Sequence, residues 1–341
     1  MYKPPVKPPV YPHEKLEYGQ TLEVAPGIHW VRMPLPFALN HINVWLLEDG
    51  DGFAVVDTGY NLEDVRTIWR DVLSRIVGER RITRTIVTHF HPDHIGLAGW
   101  FAEQYGTELW TPYAEWMQAR IAYDVRDGES WYAFYIANGL PAERANMQRL
   151  RRGRYSHACA PIPMTLRRIW DGMTFQIGGR AWRVITGAGH SPEHAALYCD
   201  ELKLLISGDQ VLPRITTNVS VWYNEPYGNP LRQFIESFAK FRPLPRDTFV
   251  LPSHDRPFYG LHDRLDTLEA HHAVRFDKAR AACAEPKTAM EVVPALFDRQ
   301  LDDQQIGFAV GESLAHLNYL MSDGRAERIA GADGIFRFKA T

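Results

Sequence analysis

Three histidines and an aspartate lie within six positions of this chain, in the segment THFHPDHIG at residues 88–96. Such a cluster is costly to desolvate unless it binds something. His89 and His91, two residues apart around a turn, can converge on one metal ion, while Asp93 and His94 project toward a neighbouring position. The segment alone therefore predicts metal-ion chemistry, with room for two ions.

Three further candidate ligands follow other predicted strands. They are His190 in the turn GAGHSP, Asp209 after Ser-Gly, and His254 after Pro-Ser. Each lies in a turn rich in small residues or proline, which suits a close-packed site. We therefore expect one site assembled from the ends of several strands.

The hydrophobic pattern indicates the elements that position these residues. A predicted helix that Asn61 caps follows a β-rich meander, and a strand over 82–88 then delivers the histidine cluster to a helix over 95–104. The predicted strands of this part cover residues 28–32, 42–47, 53–56, 82–88, 174–177, 181–186, 195–199, 202–206 and 248–251. The order of strand, polar loop and helix exposes ligands at the edge of a sheet.

Changes in pattern divide the chain into three parts. Residues 1–27 form a Pro-rich N-terminal arm, residues 28–261 a catalytic domain, and residues 262–341 a smaller helical domain that ends in a hairpin. Within the catalytic domain, about residues 112–166 form a helical insertion crowded with aromatic side chains. Those side chains either lie over the site and bury an acyl chain or ring, or pack the insertion's own core.

Composition limits the partners and the compartment. A net charge of -3, with no long basic run, gives no general attraction to nucleic acid or to an anionic membrane. The three cysteines lack CxxC spacing and cannot all pair, so they favour neither a disulfide framework nor a thiolate zinc site. No stretch approaches a membrane span. We expect a cytoplasmic protein.

The order and spacing of these motifs, over about residues 28–260, resemble the metallo-β-lactamase superfamily of metallohydrolases. The resemblance implies an α/β fold, an αββα sandwich, and two divalent metal ions. The implied ligands are His89, His91 and His190 for the first metal, Asp93, His94 and His254 for the second, and Asp209 as the bridge. Asp57, in an Asp-Thr-Gly turn, resembles the residue that braces the histidine loop by hydrogen bonding, without being a ligand.

Departures from individual subfamilies narrow the resemblance. True β-lactamases with two zinc ions lack the histidine at the position of His94 and commonly use cysteine at that of Asp209. Flavodiiron oxidoreductases have glutamate at the position of His91, and persulfide dioxygenases keep a single iron. The chain therefore resembles the glyoxalase II and lactonase type, which cleave thioesters, esters or lactones. Glu193 replaces the glycine of many relatives, which leaves the geometry around His194 open.

The implied mechanism uses a hydroxide that bridges the two metal ions. Divalent cations lower the pKa of water from about 15.7 toward 7, so hydroxide forms near neutral pH. Asp93 would orient this nucleophile and carry its proton to the leaving group. Histidine and carboxylate ligands suit zinc best here, with iron and manganese as alternatives.

The substrate is a small acyl compound in this interpretation, and three residues are candidates for its pocket. Trp222 and Tyr223 follow the strand of the bridging aspartate, and His41 precedes a strand on the same side. A lone histidine such as His41 is more often a hydrogen-bonded structural residue.

The C-terminal helices and hairpin resemble the winged-helix-like tail of some superfamily members, among them nucleases. A phosphodiesterase or ribonuclease is therefore the alternative enzyme, but the predicted last helix, residues 307–321, contains no lysine or arginine to neutralise phosphates. The tail instead braces the catalytic domain, lines the substrate entrance or makes the contact of a homodimer. A non-catalytic metal-binding protein is disfavoured because structural zinc sites are usually closed and four-coordinate.

Overall fold

Two β-sheets pack face to face at the centre of the molecule, and helices cover the outer face of each sheet. The computed structural model describes residues 7–124, 128–150, 154–303 and 305–341. Most of the predicted arm, insertion and tail is described. Outside the described residues lie 1–6 of the arm, 125–127 and 151–153 of the insertion, and 304 of the tail. The predicted αββα class is confirmed.

The first sheet has seven strands in chain order, antiparallel up to β4 and parallel from there on. These strands are β1 (Thr21–Ala25), β2 (Ile28–Pro34), β3 (His41–Asp49), β4 (Gly52–Val56), β5 (Arg81–Ile86), β6 (Leu109–Pro112) and β7 (Arg167–Ile169). The helices beside them are α1 (Glu63–Val72), continued by a π-helical turn at Leu73–Val77, α2 (Pro92–Ile95) and α3 (Ala98–Tyr105).

Strand alternation explains why this sheet is buried on both faces. Trp30 and Trp45 point between the two sheets, while their neighbours Val31 and Leu46 pack toward Trp69 of α1. Successive side chains of a strand point to opposite faces, so a strand that is apolar throughout needs cover on both sides. The polar ends of such strands are then left to form a site at the sheet edge.

The second sheet has the order β13-β12-β11-β10-β9-β8. Its strands are β8 (Thr174–Ile177), β9 (Arg180–Thr186), β10 (Ala195–Cys199), β11 (Leu204–Gly208), β12 (Phe249–Pro252) and β13 (Phe258–Tyr259). Four helices of the insertion precede it, namely α4 (Tyr113–Asp124), α5 (Glu129–Ala137), α6 (Ala142–Arg149) and α7 (Arg154–Ala158). The outer face carries α8 (Pro230–Phe241), α9 (Leu261–Ala282), α10 (Ala289–Leu296) and α11 (Gln305–Ser322), and the chain ends in the hairpin of β14 (Ala326–Ala330) and β15 (Phe336–Ala340).

The tail shares one hydrophobic cluster with the second sheet, in which Leu205 and Val250 of the sheet join Val310 and Leu317 of α11. The insertion packs in two directions. Helices α5 and α6 belong to this same cluster, whereas α4 and α7 pack behind the histidine loop in a separate one. The described helices of the insertion therefore pack into clusters that they share with the rest of the chain.

Two expectations need correction. Residues 21–25 of the predicted N-terminal arm belong to the sheet instead: they form β1, which pairs with β2, and most of their side chains are half-buried there. Asn61 does not cap the first helix: α1 begins at Glu63, and the Asn61 side chain instead accepts a hydrogen bond from Arg66. Among the described residues, no helix combines the length and apolar character needed to cross a bilayer.

Candidate metal centre

The histidine loop is anchored where two parallel strands end side by side. Thr88 follows β5 and Asp57 follows β4, so the parallel pairing brings them together. Oδ1 of Asp57 accepts a hydrogen bond from the Thr88 backbone N–H (2.8 Å), and Oδ2 lies 2.7 Å from Nδ1 of His94. Asp57 has a φ of 59°, a conformation that aspartate and asparagine tolerate better than most residues. Asp57 thus makes hydrogen bonds to the histidine loop, and its role as a brace for metal ligands stays a prediction.

Three imidazoles form the first ligand group. Nε2 of His89 lies 2.9 Å from Nδ1 of His91 and 3.1 Å from Nε2 of His190. Nδ1 of His190 donates to the carbonyl oxygen of Asn218 (2.7 Å). The Nε2 atom of His190 therefore carries a free lone pair, which faces the other two imidazoles. A hydrogen bond on the outer nitrogen is the usual way in which a metal-ligating histidine is oriented.

Asp93, His94 and His254 form the second group. Oδ2 of Asp93 lies 3.6 Å from Nε2 of His94 and 3.5 Å from Nε2 of His254. Nδ1 of His254 donates to the backbone carbonyl of His41 (2.8 Å). Both histidines therefore present Nε2 to the same point as the carboxylate.

Asp209 lies between the two groups. Its Oδ1 is 3.5 Å from Nε2 of His94 and 3.4 Å from Nε2 of His254, whereas its Oδ2 is 3.4 Å from Nε2 of His190. The Asp209 backbone N–H donates to Nε2 of the buried His194 (3.0 Å). Gly208 has a φ of 53°, and a Cβ on it would lie 2.5 Å from the His194 ring, so glycine is required there.

These residues fit divalent metal ions. Among the described residues, Nε2 of His94, Nε2 of His254 and Oδ1 of Asp209 are buried without a hydrogen-bond partner. Ligands about 2.1 Å from a tetrahedral ion lie about 3.4 Å apart, close to the spacing around Asp209. In each of three groups, one ligand atom per residue lies within 4.8 Å of those of the other two residues: His89–His91–His190, His89–His94–Asp209 and Asp93–His94–His254.

The protonation preferences differ between the residues of this centre. Burial and the neighbouring imidazoles hold the pKa of His89 and His91 well below the usual range, which favours the neutral, ligating form. Burial disfavours the charged form of both Asp209 and His94. The facing imidazoles nevertheless lower the pKa of Asp209. The carboxylates of Asp57, Asp93 and Asp209 raise the pKa of His94. The opposite charges of Asp209 and His94 thus stabilise one another.

All seven predicted ligands converge, but the three candidate pocket residues lie in different surroundings. Both ring nitrogens of His41 are engaged, Nδ1 with Oδ1 of Asn40 (3.0 Å) and Nε2 with the backbone N–H of Asp255 (2.8 Å). His41 therefore braces the loop of His254. A substrate contact for His41, Trp222 or Tyr223 stays a prediction.

Trp222 and Tyr223 belong to an aromatic cluster that joins the insertion to the tail. The ring of Trp131, from α5, lies 5.9 Å from that of Trp222 and 5.3 Å from that of Tyr223. Phe308 of α11 lies 5.6 Å from Trp222. We call these four residues the aromatic bridge.

Sequence reasoning missed Glu115, which is fully buried in α4. Its carboxylate accepts hydrogen bonds from the Phe90 backbone N–H (2.9 Å), the Ser191 hydroxyl (2.8 Å) and the Glu193 backbone N–H (2.6 Å). Burial raises the pKa of Glu115 to about 7, against the three hydrogen bonds that lower it. The sequence marks Glu115 only by its spacing of four residues from Ala119, which places the two on one face of α4; in the structure both are buried.

Comparison with known proteins gives the same assignment. The family model of the metallo-beta-lactamase superfamily matches residues 38–254, and that of the metallo-beta-lactamase-like C-terminal domain matches residues 276–341. A beta-lactamase domain protein from Burkholderia ambifaria has 41% sequence identity and a TM-score of 0.90, over 98% of this chain and 97% of that structure.

Two curated relatives are similar at lower identity. A probable metallo-hydrolase, YqjP of Bacillus subtilis, is 24% identical over 308 residues, which are 86% of this chain and 92% of the relative. The acyl-coenzyme A thioesterase MBLAC2 of Gallus gallus is 26% identical over 200 residues, 58% of this chain and 67% of the relative. With the converging ligand set and the αββα fold, these matches show that the chain belongs to the metallo-beta-lactamase superfamily.

Proposed function

We propose that this chain is a two-metal hydrolase that cleaves a thioester, an ester or a lactone of a small acyl compound. The observation that carries the proposal is the position of Asp209, whose two carboxylate oxygens face two different ligand groups. A carboxylate shared in this way, with three further ligands on each side, is typical of a binuclear catalytic site and not of a closed structural zinc site.

The first ion would be held by His89, His91 and His190, and the second by Asp93, His94 and His254, with zinc the best match to these ligands. Two bound ions would supply Lewis-acid activation of water and of the substrate's carbonyl oxygen.

The chain's own groups orient the reaction. His91 and Asp93 are the two ligands with the more exposed side chains, so substrate approaches from their side. Oδ2 of Asp93 faces His94 and His254, which leaves Oδ1 to take the proton of the attacking water and return it to the leaving group. His254, held by the His41 carbonyl, keeps its Nε2 fixed beside this carboxylate.

An acyl substrate is supported by the similarity to an acyl-coenzyme A thioesterase. Nucleic acid has less support. Helix α11 carries no lysine or arginine, and its buried face packs in the core that the tail shares with the second sheet.

One substrate panel tests the proposal. Zinc-loaded protein is assayed with acyl-coenzyme A thioesters, acyl homoserine lactones, a bis-aryl phosphodiester and single-stranded RNA, each with and without a chelator. We expect chelator-sensitive turnover of a thioester or lactone, about two metal ions per chain, and loss of activity in His94→Ala. RNA cleavage without thioester or lactone turnover would reverse the ranking of substrates. Fewer than about one ion per chain would refute the metal-dependent mechanism.

A further inference from the structure

The peptide unit between the first two ligands is held by the helical insertion. Phe90 lies between His89 and His91, and its backbone N–H donates to Oε2 of Glu115 on α4 (2.9 Å). The backbone carbonyl of Phe90 accepts a hydrogen bond from the hydroxyl of Tyr155 on α7. Two helices of the insertion thus occupy both polar groups of this residue.

The same carboxylate reaches the second ligand loop. Oε1 of Glu115 accepts from the hydroxyl of Ser191 (2.8 Å) and from the backbone N–H of Glu193 (2.6 Å). Ser191 directly follows the ligand His190, and Glu193 directly precedes His194, which orients Asp209. One buried side chain therefore ties the loop after β5 to the loop after β9.

A fully buried carboxylate is costly, and helix packing alone would be served better by an apolar residue. Glu115 offsets that cost with three donors, and every one of them belongs to a ligand loop. The ring of Tyr155 also stacks on that of Phe90, with centroids 6.3 Å apart. The contacts of these two residues are thus directed at the loops that carry the ligands.

We infer that the insertion is a clamp on the metal centre, with Glu115 and Tyr155 as positioning residues for the histidine loop. The inference rests on the proposed metal-dependent function and gives the insertion a role other than covering substrate. Loops held by these four hydrogen bonds present their imidazoles without reorganisation, which strengthens binding of the first ion.

The test measures zinc affinity by competition with a chromophoric chelator, independently of catalysis. Glu115→Gln keeps the shape of the side chain but places an NH₂ group against one of three N–H or O–H donors. Tyr155→Phe keeps the ring and removes the single donor to Phe90. We expect each variant to lower zinc affinity about 10–100-fold and to reduce kcat more than it changes KM. Because both act on Phe90, their effects should be non-additive in the double variant.

The control is Glu143→Gln, which changes an exposed carboxylate of the same insertion and should leave zinc affinity unchanged. Wild-type zinc affinity in both Glu115→Gln and Tyr155→Phe overturns the clamp, and so does a lower melting temperature of the metal-free variants at unchanged affinity. If the unmodified protein itself binds no zinc, the proposed function fails before the clamp is tested.

Discussion

Replacing Asp57 by asparagine should weaken the second metal site while leaving the first intact. The carboxylate has three partners: the Thr88 N–H donates to Oδ1, Nδ1 of His94 donates to Oδ2, and the Thr88 hydroxyl lies 3.0 Å from Oδ1 and 2.9 Å from Oδ2. Asparagine also tolerates the left-handed backbone at this position, so the turn itself is preserved.

The asparagine amide cannot accept from both the Thr88 N–H and the Nδ1–H of His94, because it has only one acceptor oxygen. If its oxygen keeps the Thr88 N–H, its NH₂ donates to Nδ1 of His94, and the ring proton moves to Nε2, which faces Asp93 and Asp209. A protonated Nε2 cannot ligate. If the ring instead keeps its proton on Nδ1, two buried donors face each other at a cost of about 1–3 kcal/mol. Either way, affinity for the second ion falls about 10–100-fold.

The assay is a zinc titration that reads stoichiometry and affinity, with Asp49→Asn as the matched control. Asp49 also accepts three hydrogen bonds, from Thr83, Arg84 and the Gly178 N–H, but it lies at the opposite end of β3 from the site. We expect Asp49→Asn to lower stability at unchanged zinc affinity, and Asp57→Asn to keep one tight site and lose the other. If Asp57→Asn binds two zinc ions with the affinity of the unsubstituted protein, the argument from the position of the His94 ring proton is refuted.

Three further predictions follow from buried contacts. Gly208→Ala should abolish activity in protein that still folds, because the new methyl group would lie 2.5 Å from the His194 ring; activity and circular dichroism together check this. Burial lowers the pKa of His272 to about 2 and that of His316 to about 3, so both stay neutral in the folded protein, whereas the unfolded chain binds protons below about pH 6.5. Stability is therefore full above that pH and falls by up to about 1.4 kcal/mol per histidine and pH unit below it; His272→Gln should flatten the slope in urea unfolding. Asn43→Ala removes a buried amide that donates to two backbone carbonyls in the loop of the last ligand, at 2.8 and 2.9 Å, and should cost about 1–3 kcal/mol of stability together with zinc affinity, as unfolding and zinc titration would show.

The candidate ligands could be recognised from sequence because their chemistry is local. Each lies in the polar segment that follows a strand, with Asp93 and His94 in the short helix α2, and the fold only has to bring strand ends to one edge. Asp57 was found through the resemblance of its Asp-Thr-Gly turn to that of the superfamily. The hydrogen bonds of Glu115 span 25 to 78 residues of chain, and nothing in the pattern around it indicates a partner. The short strands β6 and β7 were missed because three or four residues show too little alternation to be recognised.

In the described part of the chain, two buried carboxylates outside the proposed ligand set, Asp57 and Glu115, have a common electrostatic reason in the proposed function. Asp57 and Glu115 are both 0% exposed, and neither is paired with a lysine or arginine in the interactions described above. Two divalent ions bring four positive charges into the centre, of which Asp93 and Asp209 neutralise only two. A hydroxide nucleophile would neutralise a third, and Asp57 and Glu115, each one step behind a ligand loop, lie where a carboxylate offsets the remaining charge. The same ions that these carboxylates help to hold would therefore offset the cost of burying them, which makes metal binding and the stability of both loops mutually dependent.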